Sequence, residues 1–553
     1  MKKLTIIAGL VLSGLLGLAV TGCGDKGSSS QSSTLPPEPE PTLEAVQVDP
    51  YTLSANYRNL RINGNGYSGE QFTEHRNTEG KKTYAIENVK ALVVPVDFTD
   101  YTYERFGNTE DEVREKVRKI MFGTQEEMLA DYTAEEIANG IKPWHSLSSY
   151  YESTSFGKCH ISGTVAPFFH TGVASTSIAK SNTGYSKTIA VAIQDYYRDP
   201  DHGINLADYD ANQDGYIDSI IMLYTAPITT TGEVWWAFCW SVSGAWGKYT
   251  ADGSLEGANR FFWASFNFFY EYYNASARKI DYHSAEDIKA GTVHADAHTM
   301  IHEYGHVLSL PDYYVTDYAT NDYSALGGAD MMDNNVGDHN AYSKILYGWI
   351  NPRRIDGTEG SITLTMNSTT TTGDTIIIPA PGEWNNTYLD QYVMIEFLTP
   401  EGVGVLDGET PYLTIYPRYY SKAGIRITHV DSRMGVFTST SSGYEFAGYT
   451  WATTTSLERS YVTIAADNTA SDSCFPKYKQ IEVLPRDGRS MKYQGTAEAD
   501  DWLFNQGDVF GATGCWDNFK LNGQDGSQEK EFGFKISVDA INGNTSATIT
   551  ISR

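Results

Sequence analysis

The segment from His302 to His306, with the sequence HEYGH, constrains this chain more than any other part of it. The two histidines are four residues apart, so on an α-helix both imidazoles project from one face, about one turn apart. Zinc binds imidazole nitrogens at about 2.0–2.1 Å, a geometry that this spacing can supply. Glu303 follows the first histidine and can reach the open position of such a metal. The segment therefore predicts a helix with His302 and His306 as zinc ligands and Glu303 as the general base of a hydrolase.

A catalytic zinc site needs a third protein ligand, and the following residues limit the choice. No glutamate occurs between Glu303 and Glu359, which disfavours a thermolysin-like arrangement with a glutamate from a later helix. Asp312 lies six residues after His306, and Pro311 stops the helix just before it. We predict that Asp312 is the third ligand. An aspartate that only caps the turn, or a thermolysin-like enzyme with its third ligand in another domain, is the alternative.

Several separated segments resemble, in the right order, the immune-inhibitor-A family of secreted bacterial metallopeptidases. The sequence HEYGHVLSLPDYY is similar to the zinc signature HExxHxxGLPDxY of that family. Three further segments are similar to its first strand, its SxxxYYxxxSxGKxxxxGxV stretch and its later GxxIxHxD strand; they are residues 91–98, 148–165 and 424–431. The resemblance covers about residues 89 to 435.

This resemblance implies a metzincin-like zinc endopeptidase with a Met-turn beneath the metal ligands. Met332 is preferred to Met331 for the Met-turn, and two ordinary core methionines are the alternative. Two departures from the family pattern stand out. Ser309 replaces a glycine that bends the backbone after the helix, at a cost of about 1 kcal/mol. His298 adds a histidine on the preceding turn, and we expect it to point past the site or to bond a carboxylate.

Residues 208–218 carry oxygen donors at alternate positions, which indicates a calcium loop. The spacing matches positions 1, 3, 5, 7 and 9 of an EF-hand-like loop. The predicted ligands are Asp210, Asn212, Asp214, the carbonyl group of Tyr216, and Asp218. The bidentate glutamate of a full EF-hand is missing, since Ile221 occupies the twelfth position. A turn rich in Asp and Asn before a strand is the alternative.

The pattern of the N-terminal residues predicts a targeting segment. Two lysines and an apolar run precede Val-Thr-Gly-Cys23, which resembles the lipobox of bacterial lipoproteins. We predict a lipoprotein signal peptide over residues 1–23, with lipid on Cys23; an ordinary signal peptide or a single membrane span is the alternative. A Ser-rich and then Pro/Glu-rich tether follows over residues 24–48. Residues 49–88 are predicted to be an N-terminal extension or a pro-segment.

The remaining chain divides by pattern into two parts. Apolar strand-like runs alternate with helix-like segments up to Trp349, which predicts an α/β (α+β) catalytic domain over residues 89–352. Beyond it, β-branched and aromatic runs separated by Gly, Asn and Ser predict a β-rich, sandwich-like region over residues 353–553. Beyond Cys23, four cysteines remain and form no CxxC pair: Cys159, Cys239, Cys474 and Cys515. A disulfide between Cys474 and Cys515 and four free buried thiols are the two alternatives.

The formal net charge of −28 disfavours nucleic acid and anionic lipid as partners. We therefore expect a zinc endopeptidase that cleaves extracellular proteins and contacts the membrane only through its lipid. Its expected place is the outer face of the cell envelope, as a lipoprotein or in released form. The alternative from another functional class is a surface adhesion lipoprotein with an inactive peptidase-like domain. The intact His-Glu-His set disfavours that alternative.

Overall fold

The protein is described here by a computed structural model, which covers most of the chain beyond the predicted signal peptide. The described residues are 43–48, 73–76, 82–85, 87–141, 143, 145–211, 217–241, 260–308, 310–315, 323–334, 336–380, 382–386, 388–408, 418–440, 443–449, 461–463, 465–466, 475–494, 496–497, 501–523 and 529–553. Within these ranges, no helix combines the length and the apolar character that crossing a bilayer would require. Cys23 lies outside them.

Strands and helices alternate in the part of the chain before residue 352. The strands are β1 (Glu44–Gln47), β2 (Thr73–Arg76), β3 (Lys82–Ala85), β4 (Asn88–Asp97), β5 (His160–Val165), β6 (Phe169–His170), β7 (Ser219–Tyr224), β8 (Phe238–Ser241), β9 (Arg260–Ser265), β10 (Glu271–Asn274) and β11 (Lys279–Tyr282). The α-helices are α1 (Glu110–Phe122), α2 (Gln125–Leu129), α3 (Ala134–Ala138), α4 (Leu147–Thr154), α5 (Gly184–Tyr197), α6 (Ala285–Ala290), α7 (His298–Val307), α8 (Met331–Asn334) and α9 (Ala341–Leu346). Short 3₁₀ helices cover Tyr103–Arg105, Ser175–Ser177, Pro200–His202, Leu206–Tyr209 and Phe266–Phe269.

The first sheet has the strand order β5–β4–β7–β9–β8, and β6 also pairs with β4. Its strands are parallel except for β8, which runs antiparallel to β9 at the edge. Strand β4 is an almost continuous apolar run because both of its faces are buried. Val93 faces one core cluster and Val94 faces the other. Helices α1, α4 and α7 contribute to the first cluster, and α5 contributes to the second.

Strands dominate after residue 352, as the sequence predicts. They are β12 (Arg353–Asp356), β13 (Ser361–Asn367), β14 (Thr375–Pro379), β15 (Gln391–Leu398), β16 (Gly424–Asp431), β17 (Met434–Thr440), β18 (Gly443–Tyr449), β19 (Tyr461–Thr463), β20 (Ala465–Ala466), β21 (Phe475–Lys479), β22 (Ile481–Val483), β23 (Val509–Phe510), β24 (Lys520–Leu521), β25 (Lys530–Glu531), β26 (Lys535–Asn542) and β27 (Ser546–Ser552). Short helices are α10 (Thr369–Thr372), α11 (Val405–Gly408), α12 (Met491–Gln494) and a 3₁₀ turn at Gly402–Gly404.

Two sheets organise this second part. A six-stranded sheet has the order β1–β12–β14–β15–β16–β22, and a four-stranded sheet has the order β13–β27–β26–β23. Ile395 of β15 and Ile549 of β27 belong to one apolar cluster between the two sheets, as a sandwich-like arrangement requires. Met394 faces the opposite way and joins the cluster that contains helix α7. The six-stranded sheet therefore lies between the four-stranded sheet and the helices of the first part. Smaller sheets pair β2 with β3, β10 with β11, β17 with β18 and β19, β20 with β21, and β24 with β25.

The structure confirms a mixed α and β fold and corrects one predicted boundary. Strand β1 lies within the predicted tether 24–48 but pairs with β12, from Glu44 opposite Asp356 to Gln47 opposite Arg353. Leu43 is buried because it packs into the sandwich core. The last residues of the predicted tether are therefore part of the fold. The chain from Pro41 to Arg553 forms one compact unit, and the other domain limits stay predictions.

Candidate metal centre

Helix α7 is buried on almost all sides, and it carries His302, Glu303 and His306. Met300, Ile301, Tyr304 and Val307 belong to the main apolar cluster, so these residues anchor the helix in the core. The helix ends where the amide groups of Leu308 and Leu310 donate to the carbonyl groups of Tyr304 and Gly305, at 2.9 Å each. Ser309, which replaces the family glycine at this bend, lies outside the described residues.

The structure brings the three predicted metal ligands together. The Nε2 atoms of His302 and His306 lie 3.1 and 3.0 Å from the same atom, Oδ1 of Asp312. The two imidazole rings are nearly perpendicular, with their centroids 4.8 Å apart. One ligand atom from each of the three residues lies within 4.8 Å of the other two. His306 and Asp312 are partly exposed, so the point where these atoms converge is open to solvent.

Backbone carbonyl groups orient both histidine rings. Nδ1 of His302 lies 2.9 Å from the carbonyl oxygen of Met331, and Nδ1 of His306 lies 2.8 Å from that of Leu310. A carbonyl oxygen only accepts hydrogen bonds, so in neutral rings each Nδ1 carries the proton and each Nε2 keeps its lone pair. This is the arrangement by which outer partners orient histidines that ligate metals. Two such imidazoles and a carboxylate fit a divalent transition metal such as zinc.

The charges at the site attract one another strongly. Burial lowers the pKa of His306, but the adjacent Asp312 carboxylate outweighs burial and raises that pKa to about 9. Burial raises the pKa of Asp312, but the two histidines outweigh it and hold the pKa below its ordinary value. The carboxylate therefore stays ionised and is available to a cation at the point where the three side chains meet.

Glu303 is a buried carboxylate beside the metal ligands. It is 7% exposed, and its Oε2 atom has no hydrogen-bond partner among the described residues. Burial raises its pKa, while the two neighbouring histidines and the backbone N–H of Cys239 on the edge strand β8 act in the opposite direction. A carboxylate with a raised pKa and an unused oxygen is suited to accepting and returning a proton.

The two methionines of the predicted Met-turn support the candidate site in different ways, Met332 through its side chain and Met331 through its backbone carbonyl group. The side chain of Met332 lies directly beneath helix α7, where a Cβ atom on Gly305 would be 2.5 Å from its Sδ. Its carbonyl group accepts the amide of Tyr313 at 2.8 Å, next to Asp312. Met331 instead holds the His302 ring through its carbonyl oxygen. The assignment of Met332 as a Met-turn methionine stays a prediction.

Asp330 organises the same loop, and sequence reasoning missed it. Its Oδ1 accepts the amide of Met332 at 2.8 Å, and its Oδ2 accepts the amide and the Nδ2 group of Asn340 at 2.7 and 2.8 Å. Burial raises the pKa of Asp330 to about 6 despite these three donors. Nothing in the local pattern GADMMD distinguishes Asp330 from Asp333, so its role follows only from the fold.

His298 is directed away from the metal ligands, as expected. Its Nδ1 pairs with the carboxylate of Asp296, and its Nε2 lies 3.2 Å from Oε2 of Glu271. The structure therefore confirms the expected carboxylate partner.

The tyrosines near the zinc motif differ in whether they contact the predicted metal ligands. The hydroxyl groups of Tyr304 and Tyr313 bond Ser219 and Ser343, each at 3.0 Å, and that of Tyr323 donates to Glu482 at 2.8 Å. These bonds direct all three hydroxyl groups to partners other than the metal ligands. Tyr314, which the sequence did not single out, has its ring centroid 6.3 Å from that of His302 and nearly parallel to it.

The predicted calcium loop lies partly outside the described residues. Asn212, Asp214 and Tyr216 lie outside the described residues, whereas Asp210 and Asp218 lie within them. Oδ2 of Asp218 accepts the amide groups of Lys90 at 2.8 Å and Ala211 at 3.3 Å. These bonds fix one end of the loop to strand β4. The calcium site stays a prediction.

The cysteines add no ligand to the metal cluster found in the described ranges. Cys159 is a buried free thiol, and Cys515 is a free thiol whose Sγ donates to the carbonyl group of Arg486. Cys474 lies outside the described residues, and Cys239 lies on β8.

Comparison with known proteins finds a distant relative but no matching family model. No protein-family model matches the chain. Immune inhibitor A of Bacillus thuringiensis subsp. alesti is 24% identical to the chain over 264 residues. The match covers 42% of the chain and 34% of the relative, so the chain spans about a third of the length of the curated protein that it matches. This partial similarity suggests a related metallopeptidase family.

Proposed function

We propose that the chain is a zinc endopeptidase of metzincin-like type, with His302, His306 and Asp312 as the metal ligands. The observation that carries the proposal is the convergence of two oriented Nε2 atoms and one ionised carboxylate next to a buried Glu303 with an unused oxygen. The distant similarity to Immune inhibitor A supports it. The short distances of 3.1 and 3.0 Å from Oδ1 of Asp312 to the two Nε2 atoms support Asp312 over a third ligand from another domain.

Glu303 carries the proton transfers in this proposal. When bound, a zinc ion polarises the peptide carbonyl group and lowers the pKa of a water molecule. Glu303 takes one proton from that water as a C–O bond forms at the carbonyl carbon. It then returns the proton to the amine nitrogen as the C–N bond breaks. Its buried position and the unused Oε2 atom suit Glu303 to hold this proton between the two steps.

The surroundings of the enzyme are proposed from the sequence. Lipid on Cys23 would hold the chain on the outer face of the cell envelope, and extracellular proteins would be the substrates. The net charge of −28 supports contact with the membrane through the lipid alone and no binding of nucleic acid. A Ca²⁺ ion held by Asp210, Asn212, Asp214, Tyr216 and Asp218 would stabilise the loop before β7.

Replacement of Glu303 by glutamine tests the central claim. Glu303→Gln removes the proton acceptor but keeps the side-chain shape, so kcat/KM for casein peptides should fall by at least about 10²–10⁴-fold. Zinc content, measured by elemental analysis, should stay near one ion per chain because Glu303 is not a ligand. The exposed Glu286→Gln on α6 is the matched control and should keep wild-type activity.

Two results would contradict the proposal. Full hydrolysis by Glu303→Gln would remove its role as the base. Wild-type hydrolysis that a zinc chelator does not reduce would remove the metal from the reaction.

A further inference from the structure

A buried ion pair of the six-stranded sheet contacts the loop beneath the metal centre. Glu396 on β15 and Arg426 on β16 are directly opposite each other in the strand register. Nε and one terminal nitrogen of Arg426 each lie 2.7 Å from a different carboxylate oxygen of Glu396. The two side chains are 1% and 5% exposed, so this is a fully buried, bidentate pair. Strand alternation places both side chains on the sheet face that is turned toward helix α7, the face of Met394.

The same pair bonds both ends of the loop 329–341. The remaining terminal nitrogen of Arg426 donates to the carbonyl group of Ala329 at 3.3 Å. Oε1 of Glu396 accepts the amide of Ala341, the first residue of helix α9, at 2.9 Å. One member of the pair therefore holds the start of the loop, and the other holds its end.

This loop carries the groups that fix the metal ligands. Asp330 joins the two ends from within, since it accepts the amide groups of both Met332 and Asn340. The carbonyl group of Met331 orients His302 at 2.9 Å, and that of Met332 accepts the amide next to Asp312 at 2.8 Å. Hydrogen bonds and the backbone of the loop thus connect the sheet to the ring of His302 and to Tyr313, the residue after Asp312.

We infer that the Glu396–Arg426 pair is a positioning element of the metal centre. The pair touches neither the ligand atoms nor Glu303, and it acts by holding the loop that orients His302 and supports Asp312. This inference rests on the proposed zinc site. It assigns to the C-terminal sheet a part in metal binding, which the separate domains predicted from the sequence do not imply.

The test replaces the pair with apolar residues of similar volume. A buried ion pair can often be replaced in this way without loss of the fold, whereas removal of one partner leaves an uncompensated charge. In Glu396→Leu combined with Arg426→Met, both ends of the loop lose their bonds to the sheet. Zinc affinity, measured by competition with a chromophoric chelator, should fall about 10–100-fold, the usual effect of losing an outer partner of a metal ligand. The visible absorption of the cobalt-substituted protein should also change, because the ligand geometry changes.

A second buried pair supplies the matched control. Arg433 and Asp431 form a bidentate pair at 2.7 and 2.8 Å, and both side chains also bond Asn522, which lies outside the loop 329–341. Asp431→Leu combined with Arg433→Met should keep wild-type zinc affinity and an unchanged cobalt spectrum. In metal-free protein, hydrogen exchange of the peptides that cover the loop should be faster in the Glu396/Arg426 variant and unchanged in this control.

Arg426→Lys keeps the test decisive if the double variant does not fold. Lysine retains the positive charge opposite Glu396 but lacks the planar fork that reaches Ala329. We expect it to fold and to bind zinc more weakly by about 3–10-fold, less than the full loss expected for an outer partner. Variants that bind zinc as tightly as wild type, with an unchanged cobalt spectrum, would overturn the inference and leave the proposed function standing. A wild-type protein that binds no zinc would overturn both.

Discussion

Gly305 allows helix α7 to pack closely against Met332 in the loop 329–341, because glycine has no side chain. Glycine inside a helix costs about 1 kcal/mol relative to alanine, so its presence between His302 and His306 needs a reason. The reason is the sulfur of Met332, which fills the space that a Cβ atom on Gly305 would occupy. The close approach of helix and methionine therefore depends on glycine at this position.

Gly305→Ala should lower the free energy of unfolding by about 1–3 kcal/mol, because overpacking outweighs the better helix propensity of alanine. Gly184→Ala at the start of α5 is the control, since its Cβ would have only an ordinary contact, 3.6 Å from Asn182 Oδ1. That control should be neutral or slightly stabilising in chemical denaturation. Combining Gly305→Ala with Met332→Ala should cost less than the sum of the two single changes. Strict additivity would show that the two residues do not compete for the same space.

His298 places a positive charge within the core, near the start of helix α7. Burial lowers its pKa, but two carboxylates outweigh burial and raise the pKa to about 9. They belong to Asp296, two residues earlier in the chain, and to Glu271 on β10. The folded-state pKa therefore lies above the ordinary value of 6.5. A group of this kind stabilises the fold fully below pH 6.5, and its contribution is lost as the pH rises through about 9.

His298→Gln should consequently cost up to about 3 kcal/mol of unfolding free energy at pH 6, and less as the pH approaches 9. Urea denaturation of the metal-free protein at several pH values measures this difference. His283→Gln is the control, because burial lowers the pKa of His283 and its effect should not change above pH 6.5. A difference for His298→Gln that grows between pH 6.5 and 9 would contradict the assigned charge.

Strand β1 is the element through which the N-terminal segment joins the fold. It forms the edge of the six-stranded sheet, and Gln47 adds side-chain bonds to the carbonyl groups of Asn351 and Pro352. Leu43 and Val48 at its ends are buried, whereas Val46 is 37% exposed. If Cys23 carries lipid as proposed, β1 is the first strand after the tether. The pairing of β1 with β12 would then connect the tether to the folded part of the chain.

Leu43→Ala should therefore lower the free energy of unfolding by about 2–4 kcal/mol, the usual cost of a large-to-small change in a core. Val46→Ala on the same strand is the control, and it should change stability by less than about 0.5 kcal/mol because its side chain faces solvent. Both are measured by thermal or urea unfolding of the chain from Pro41 to Arg553. A loss of stability for Leu43→Ala as small as that for Val46→Ala would show that β1 adds little to the sheet.

Elements with local signals could be predicted from the sequence, and elements fixed by distant partners could not. The apolar run of residues 91–98 predicts strand β4, which begins three residues earlier, at Asn88, and ends one residue earlier, at Asp97. Strand β1 has an apolar alternation too, but only its pairing with Arg353–Asp356, about 300 residues later, distinguishes it from the tether. The clustering of His302, His306 and Asp312 was predictable for the same local reason, whereas the contacts of Asp330 were not.

At the scale of the whole molecule, the two predicted domains share one core. The cluster around helix α7 also contains Tyr392 and Met394 of β15 and Val430 of β16. The six-stranded sheet is thus buried on both faces, by the part before residue 352 on one side and by the four-stranded sheet on the other. A core that crosses residue 352 predicts that the chain from Pro41 to Arg553 unfolds in a single cooperative transition in calorimetry, with equal calorimetric and van't Hoff enthalpies.

A chain that ends at residue 352 provides the sharper test. It would expose the apolar residues that pack against the six-stranded sheet, and its loop 329–341 would lack the bonds from Glu396 and Arg426. We expect residues 41–352 alone to show no cooperative thermal transition and no stoichiometric zinc binding. Co-expression with residues 353–553 should restore both, because the two pieces can rebuild the shared core. Zinc binding and cooperative unfolding by residues 41–352 alone would show that this part of the chain is a self-sufficient domain.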